Sequence, residues 1–143
     1  MPKIILNLIF LYLCNNLQAQ VIEMKSIEDA RALSKKGTEL FLEKKIPSFF
    51  NEIKKYWPMP ANEIDGLEEK TIQYMNLLES RFGEMQSTIK VNEEKISDFA
   101  LRETYLVKFE YSAIRLIYTY YKNENGWIIH AFKWDDSFSE EFK

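Results

Sequence analysis

The sequence predicts an α+β domain, with N-terminal helices packed on one face of a curved antiparallel sheet of about four strands. Two patterns predict this class. Between residues 26 and 82 the apolar side chains recur every three or four positions, which is the period of a helix. Between residues 84 and 135 they recur every second position, which is the period of a strand. The 143-residue chain has only four glycines and four prolines, which is the composition of a folded domain.

The first predicted helix begins at a capping box, in which Ser26 is the N-cap and Asp29 is the third helical residue. The apolar stripe that follows predicts a helix ending near Lys44 with one buried face. That face comprises Ile27, Ala30, Leu33, Gly37, Leu40 and Phe41.

Prolines and a glycine delimit two further predicted helices. Pro47 suits the first turn of a short second helix, which Pro58 and Pro60 bring to an end. The third helix carries apolar residues from position 64 to position 82. Gly83 follows it, where a left-handed C-terminal cap requires glycine.

Consecutive antiparallel strands are predicted in the second half of the chain. Alternation of apolar and polar residues predicts one strand around residues 105–111 and another around residues 114–121. One or two earlier strands are expected between residues 85 and 99, with residues 92–95 as a candidate turn.

The last predicted hairpin has two candidate registers around the Asn125-Gly126 pair. A three-residue loop over residues 124–126 places Tyr120 opposite His130, and it places Tyr118 opposite Phe132. We prefer this register, because it collects more apolar residues on one face. A two-residue turn would shift the pairing by one and turn a different set toward that face: Trp127, Ile129 and Ala131.

Residues 1–19 have the layout of a secretory signal peptide. Lys3 gives a basic start, residues 4–14 form a short apolar stretch, and Ala19 precedes the expected cleavage site. A spanning helix needs roughly 20 apolar residues, so an uncleaved anchor is the less favoured alternative. We therefore expect an exported bacterial protein, periplasmic or secreted, with one domain over residues 20–143 and no stable membrane insertion after cleavage.

Charge and cysteine content narrow the classes of function. The chain has 19 basic and 22 acidic residues, and its lysines are scattered, so nucleic acid is not an expected partner. Cys14, the only cysteine, lies in the predicted leader, so no disulfide or thiolate is expected in the mature domain. Lipidation of Cys14 is an alternative, but Leu13 stands before it, where a small residue is normally needed.

The order of elements resembles the NTF2-like, cystatin-like α+β roll, as found in small exported bacterial domains of unassigned function. The resemblance rests on Gly37 and Phe41 in the first helix, on the helix end at residues 81–83, and on the closing hairpin over residues 120–129. It implies a roll over nearly the whole mature chain. Because this roll hosts isomerases, dehydratases, adaptors and ligand binders, the resemblance does not choose an activity.

His130, the only histidine, is the one candidate acid or base for catalysis. A closed pocket lined by His130, Tyr118 and Tyr120 would indicate a small enzyme of the isomerase or lyase type. Alternatively, His130 is a half-buried strand residue bonded to a neighbour such as Tyr120. One histidine does not form a His-rich metal site, and no phosphate loop or nucleophile motif is present, so we expect no cofactor and no metal.

Aromatic residues are the most informative surplus, since nine of them lie between residues 101 and 134. Alternation is expected to divide them between both faces of the sheet, and the helices cover only one. We therefore predict a non-catalytic binding or interaction module, whose partner is a second copy of the chain, a small apolar ligand or another protein. Burial by sheet curvature and a C-terminal tail is the alternative. Ile117 and Tyr121 are expected on the uncovered face, and the full set of candidate site residues is Ile117, Tyr118, Tyr120, Tyr121, His130 and Trp134.

Overall fold

The computed structural model describes residues 20–143, and the leader predicted at residues 1–19 lies outside this range. Three helices come first and pack against one face of a curved four-stranded antiparallel sheet, which confirms the predicted α+β class. The elements are α1 Ile27–Leu42, α2 Ile46–Lys54, α3 Ala61–Phe82, β1 Met85–Ile96, β2 Ala100–Phe109, β3 Ala113–Lys122, β4 Trp127–Asp135 and a 3-10 helix Phe138–Glu141.

Helix α1 begins at the predicted capping box. The Asp29 N–H donates to the Ser26 hydroxyl at 3.1 Å, and the Ser26 N–H donates to the Asp29 carboxylate at 3.0 Å. The helix ends at Leu42, two residues before the expected position, because Lys44 has a positive φ of 62° that a helix does not continue.

The predicted starts of α2 and α3 and the glycine after α3 are confirmed, but α2 ends at Lys54, before the predicted stop at Pro58. Pro47 lies in the first turn of α2, and Pro60 is the N-cap of α3. Gly83 follows α3 with a φ of +82°, and a Cβ at this position would lie 2.7 Å from the Cβ of Glu110. Glycine is therefore required here for both its backbone freedom and its small size.

The four strands pair in chain order, and β1 and β4 are the edges of the sheet. The candidate turn at residues 92–95 is wrong, since β1 is one strand with a bulge between Lys90 and Asn92. Its charged run fits an edge strand because basic side chains lie beside it. Glu93 pairs with Arg31 of α1, and Glu94 pairs with Arg102 of β2.

The last hairpin follows neither predicted register along its whole length. Tyr118 lies opposite Phe132 as expected, but Tyr120 lies opposite Ile129, so the expected pairing of Tyr120 with His130 is wrong. The register changes by one between Thr119 and Tyr120, which makes His130 the extra residue of a β-bulge.

This bulge is explained by the spacing of the apolar residues in β4. Trp127 and Ile129 belong to the core on one side of the bulge, and Phe132 and Trp134 pack against it on the other. Ile129 and Phe132 are three positions apart, so an unbroken strand would turn one of the two pairs away from the helices. The three-residue-loop register is therefore correct for residues 115–119 of β3. The half next to the turn follows neither register, since Lys122 pairs with Trp127, although Trp127 and Ile129 do face inward as the two-residue turn would have placed them.

The core lies between the helices and the sheet, with Phe49 of α2 near its centre. The ring centroid of Phe49 is 4.8 Å from that of Phe132, 5.1 Å from that of Phe50 and 5.6 Å from that of Phe41. Helix α1 approaches closely because it carries Gly37 here, where a Cβ would lie 2.9 Å from the Phe49 ring. This packing leaves the opposite face of the sheet without a helix layer.

Candidate functional site

The sheet has an inner face, which packs against the helices, and an outer face, which does not. The expectation that alternation divides the aromatic residues between the two faces is wrong. Only Tyr121 points outward from a strand, and Tyr111 lies in the turn after β2 with 75 % of its surface exposed. The others belong to the inner face or pack against it: Tyr105, Phe109, Tyr118, Tyr120, Trp127, Phe132 and Trp134.

Two predicted site residues, Tyr118 and Tyr120, are fully buried core residues. The Tyr120 hydroxyl is hydrogen-bonded to the Ser34 hydroxyl at 2.6 Å, and the Tyr118 hydroxyl to that of Thr38 at 3.0 Å. Burial raises the pKa of both phenols above the usual range, so they remain neutral. Because both hydroxyls are occupied by α1, these tyrosines attach the helix to the sheet and do not form a ligand surface.

A third predicted site residue, Trp134, also packs toward the helices. Its indole N–H donates to the Thr71 hydroxyl of α3 at 3.2 Å, and its ring meets that of Tyr74 edge to face with centroids 5.6 Å apart. Trp134 therefore joins β4 to α3.

His130 lies on the other side of the sheet from Tyr118 and Tyr120. It is exposed in the β4 bulge, and among residues 20–143 no side-chain hydrogen bond involves it. The expected bond between His130 and Tyr120 is therefore absent, since Ser34 is the partner of Tyr120. A closed pocket lined by the three residues does not form, because the β4 bulge and the pairing of β3 separate them across the sheet.

Apolar residues form one continuous row across the outer face. Cross-strand pairing places Ile96 beside Ala100, Ala100 beside Tyr121, and Tyr121 beside Ile128. Phe99, in the turn between β1 and β2, meets the Tyr121 ring edge to face at 6.0 Å. Ile96, Phe99 and Tyr121 expose 63 %, 41 % and 44 % of their surfaces. We call these five residues the apolar row.

A groove of about 460 Å³ occupies the middle of the outer face beside the apolar row. We call it the charged groove, because polar and charged side chains dominate its lining. Ile117 lies on the outer face as predicted but is only 6 % exposed, so it is not available as a contact centre. The lining residues are Asn92, Glu94, Arg102, Thr104, Arg115, Ile117, Thr119, His130, Ala131, Lys133, Glu140, Glu141 and Lys143.

Arg115 closes the far end of the charged groove and is 8 % exposed. Its guanidinium donates to both carboxylate oxygens of Asp135, at 2.8 and 2.7 Å. It also binds Glu141 at 2.9 Å and Glu140 at 2.9 Å. The hydrogen bonds from Arg115 hold the pKa of Asp135 below its usual value. This arginine is therefore a centre on which three carboxylates converge.

A buried carboxylate on the inner face was not predicted. Glu103 is fully buried, and its Oε1 accepts a hydrogen bond from the Lys90 ammonium group. Within the described residues its Oε2 has no hydrogen-bond partner. Lys90 also binds Glu93, which in turn binds Arg31. We call these four residues the inner ion network, and it joins α1 to β1 and β2.

The inner ion network holds Glu93 and Lys90 in their charged forms. Hydrogen bonds from Arg31 and Lys90 lower the pKa of Glu93 from 4.5 to about 2. Burial lowers the pKa of Lys90, but the hydrogen bonds to Glu103 and Glu93 outweigh it and raise the pKa above its usual value. The network is therefore a stabilising contact between helix and sheet at neutral pH.

The sequence does contain a signal for Glu103. Extending the alternation of β2 back from Tyr105 and Val107 puts Glu103 on the inward side, where an acidic residue needs a basic partner. Its partner Lys90 could not be identified in the same way, because the bulge after Lys90 changes which side of β1 faces inward.

Two further features bear on function. Within residues 20–143 no cluster of His, Cys, Asp and Glu side chains has an arrangement suited to a metal ion. In the same range, no helix combines the length and the apolar character that crossing a membrane requires.

Comparison with known proteins gives no match for this chain among family models, curated proteins or solved structures.

Proposed function

We propose that this chain is a non-catalytic interaction module that binds a protein partner through the outer face of its sheet. One observation carries the proposal. The apolar row crosses all four strands on the face that the helices leave open. Three of its five residues each expose more than a third of their surface. Exposed apolar surface of this kind, rimmed by polar residues, is typical of contact sites.

A protein partner fits this face better than a small apolar ligand does. Small-molecule sites are concave and mostly apolar. Here the concave region is the charged groove, whose lining is mainly polar, whereas the apolar row lies at the end of the sheet outside it. The separation of an apolar strip from a charged depression favours a broad contact between protein surfaces.

Catalysis is less well supported by the same geometry. The alternative enzyme required His130 to act together with Tyr118 or Tyr120, and these residues lie on opposite faces of the sheet. The carboxylates of Glu93 and Asp135 do have lowered pKa values, but each is bound by a basic side chain. Among residues 20–143 we therefore find no other acid–base pair that faces a groove with its carboxylate free to react. We therefore do not favour the isomerase or lyase alternative.

The first partner to test is a second copy of the chain. In a two-fold symmetric dimer the same patch serves both protomers. Next to the apolar row, Glu94 and Arg102 form a long ion pair of 3.7 Å, and each side chain is more than half exposed. In a two-fold symmetric dimer, Glu94 of one protomer can then lie against Arg102 of the other, and the reverse. Tyr121 and Ile96 are then the contact centre, and Ile96 takes the place first expected for the buried Ile117.

Export and family membership belong to the same proposal. The layout of residues 1–19 supports secretion or release into the periplasm, and the helix order and closing hairpin support membership of the NTF2-like superfamily. The proposed module acts as an exported adaptor that holds its partner on an open sheet face.

Sedimentation equilibrium tests the dimer directly. The apolar row is smaller than a standard interface, so we expect a weak dimer with a Kd of about 10–100 µM. Tyr121→Glu and Ile96→Glu should each weaken it at least about 30-fold, because each places a charge in an apolar contact. Both variants should remain folded, since neither side chain is part of the core.

Tyr111→Glu is the matched control, because Tyr111 is another exposed tyrosine but lies in the turn after β2, away from the apolar row. It should leave the association unchanged, as should His130→Ala. A wild-type protein that stays monomeric at about 1 mM would exclude the dimer. If Tyr111→Glu and Tyr121→Glu weaken the dimer equally, the apolar row is not the contact surface.

A further inference from the structure

The C-terminal tail, residues 136–143, lies on the outer face at the end far from the apolar row. It reaches the charged groove through Glu140 and Glu141, which bind Arg115. We propose that the Arg115 end of the charged groove is a binding site for acidic peptide segments, and that the tail occupies it as an internal ligand. This proposal does not depend on the dimer, because it concerns a different part of the face.

Arg115 makes two kinds of contact: one with Asp135 in the neighbouring strand, which is structural, and one with the tail, which resembles the binding of a ligand. Asp135, its cross-strand neighbour, takes the side of the guanidinium that carries Nε and Nη2, in a bidentate pair. That pair already balances the charge of Arg115. The remaining donors, on Nη1 and Nη2, point to Glu141 and Glu140. The carboxylates of the tail therefore accept hydrogen bonds from donors of Arg115 that are not needed to neutralise its charge.

The tail is held by its ion pairs to Arg115 and by the half-buried side chain of Phe138. The 3-10 helix that carries it has no buried residue and no side-chain capping bond, and Phe142 beyond it is 80 % exposed. Glu141 is the better covered ligand, with a side chain 14 % exposed, whereas that of Glu140 is 65 % exposed. The Glu140 carboxylate lies mostly in solvent, where an ion pair contributes little to stability, so another acidic segment can replace the tail.

The rest of the charged groove has the chemistry that an acidic segment needs. Lys133 is exposed and takes part in no ion pair among the described residues, and Arg102 has only the long contact to Glu94. Without the tail, Arg102, Arg115 and Lys133 face Glu94 and Asp135, which gives a net charge of about +1. Three basic groups recognise a short acidic peptide but are too few for the many phosphate contacts of nucleic-acid binding.

The test compares the wild-type chain with a Glu140→Gln/Glu141→Gln variant, which keeps the full chain and releases the tail from Arg115. The probe is a synthetic peptide with the sequence of residues 137–143 and blocked ends. It is titrated into each ¹⁵N-labelled protein, and binding is measured by NMR. We expect the variant to bind the peptide about tenfold or more tightly than the wild type does, since the wild-type tail competes at a high effective concentration. The shifts should centre on the Arg115 Nε–H and on the amides of Thr104 and Lys133.

Three controls keep the interpretation specific. A Glu69→Gln/Glu124→Gln variant makes the same change of charge at two exposed sites without ion pairs, and it should bind like the wild type. A peptide with Gln at both acidic positions should not bind the released variant. Raising NaCl from about 50 to about 500 mM should weaken the binding severalfold.

Two outcomes would overturn the proposal. The first is no peptide binding to the released variant at millimolar peptide while its spectrum remains that of a folded protein. The second is equal binding to the wild type and to the variant, which would locate the peptide away from Arg115. Neither outcome affects the dimer test, since the apolar row is unchanged in these variants.

Discussion

The inner and outer faces of one sheet differ in almost every physical property. The inner face collects nearly all the aromatic residues of the strands and uses two tyrosine hydroxyls to hold α1. The outer face has one exposed aromatic strand residue, a charged groove and an arginine bound by the tail. If the proposed association belongs to the outer face, stability and association depend on opposite sides of the same four strands, and substitutions on the two sides should have separable effects.

The largest difference is expected between two phenylalanines. Phe132 is 4 % exposed on the inner face, and its truncation in Phe132→Ala should lower the free energy of unfolding by about 3–5 kcal/mol. Phe99 is 41 % exposed in the apolar row, and Phe99→Ala should cost less than about 1 kcal/mol. Urea denaturation of both variants measures the contrast, and equal losses would contradict the division between the faces.

The second expected effect comes from the inner ion network. Lys90→Met leaves the buried carboxylate of Glu103 without its basic partner and should destabilise the fold by about 2–4 kcal/mol. Adding Glu103→Gln should restore at least half of that loss, because the buried charge is then removed. Lys108→Met is the control, since Lys108 is an exposed lysine of β2, and it should change the stability little. A Lys90→Met variant as stable as the Lys108→Met control would show that Glu103 does not need its partner.

A smaller effect separates two neighbouring tyrosines of β3. Tyr120→Phe deletes a buried hydroxyl and leaves that of Ser34 without its partner, so it should cost about 0.5–1.5 kcal/mol. Tyr121→Phe removes a hydroxyl from an exposed side chain and should leave the stability unchanged. Thermal unfolding of the two variants side by side measures the difference, and a reversed order would refute the assignment of faces at the end of β3.

The last expected effect is a change in the pH dependence of stability. The pKa of Glu93 is about 2 in the folded protein against an ordinary 4.5, so its ionised form favours folding. The contribution is complete above about pH 5 and is lost as the pH falls toward the folded pKa of about 2. Glu93→Gln should therefore be less stable than the wild type near neutral pH and should approach it below about pH 3. Parallel curves of urea midpoint against pH would contradict this.

The sequence predicted the parts of the fold that depend on local signals. The capping box of Ser26, the proline of α2 and Gly83 after α3 all act within a few residues, and all three are confirmed. The strand faces were predicted only as far as regular alternation holds. Bulges at Val91 and His130 break the alternation, and neither has a local signal as strong as a proline or a glycine.

The candidate site was predicted less well than the fold, for the same reason. Tyr121 and Ile117 lie on the predicted face, but Ile117 is buried between its cross-strand neighbours Thr104 of β2 and Lys133 of β4. Tyr118 and Tyr120 are core residues and Trp134 packs against the core. Their positions could not be predicted, because their hydroxyl or indole partners come from helices far away in the sequence. The sequence does contain a signal for the bulge at His130. Trp127 and Ile129 are two residues apart, as are Phe132 and Trp134, but Ile129 and Phe132 are three apart, which interrupts the strand period.

A dilution series followed by ¹⁵N NMR tests most directly the claim that association belongs to the outer face. The wild-type protein would be diluted from about 1 mM to about 10 µM, which spans the expected Kd. We predict concentration-dependent shifts at the amides of Ile96, Phe99, Tyr121 and Ile128, and none on the exposed side of α3 at Leu77. Shifts centred on α3, or none at any position, would contradict it.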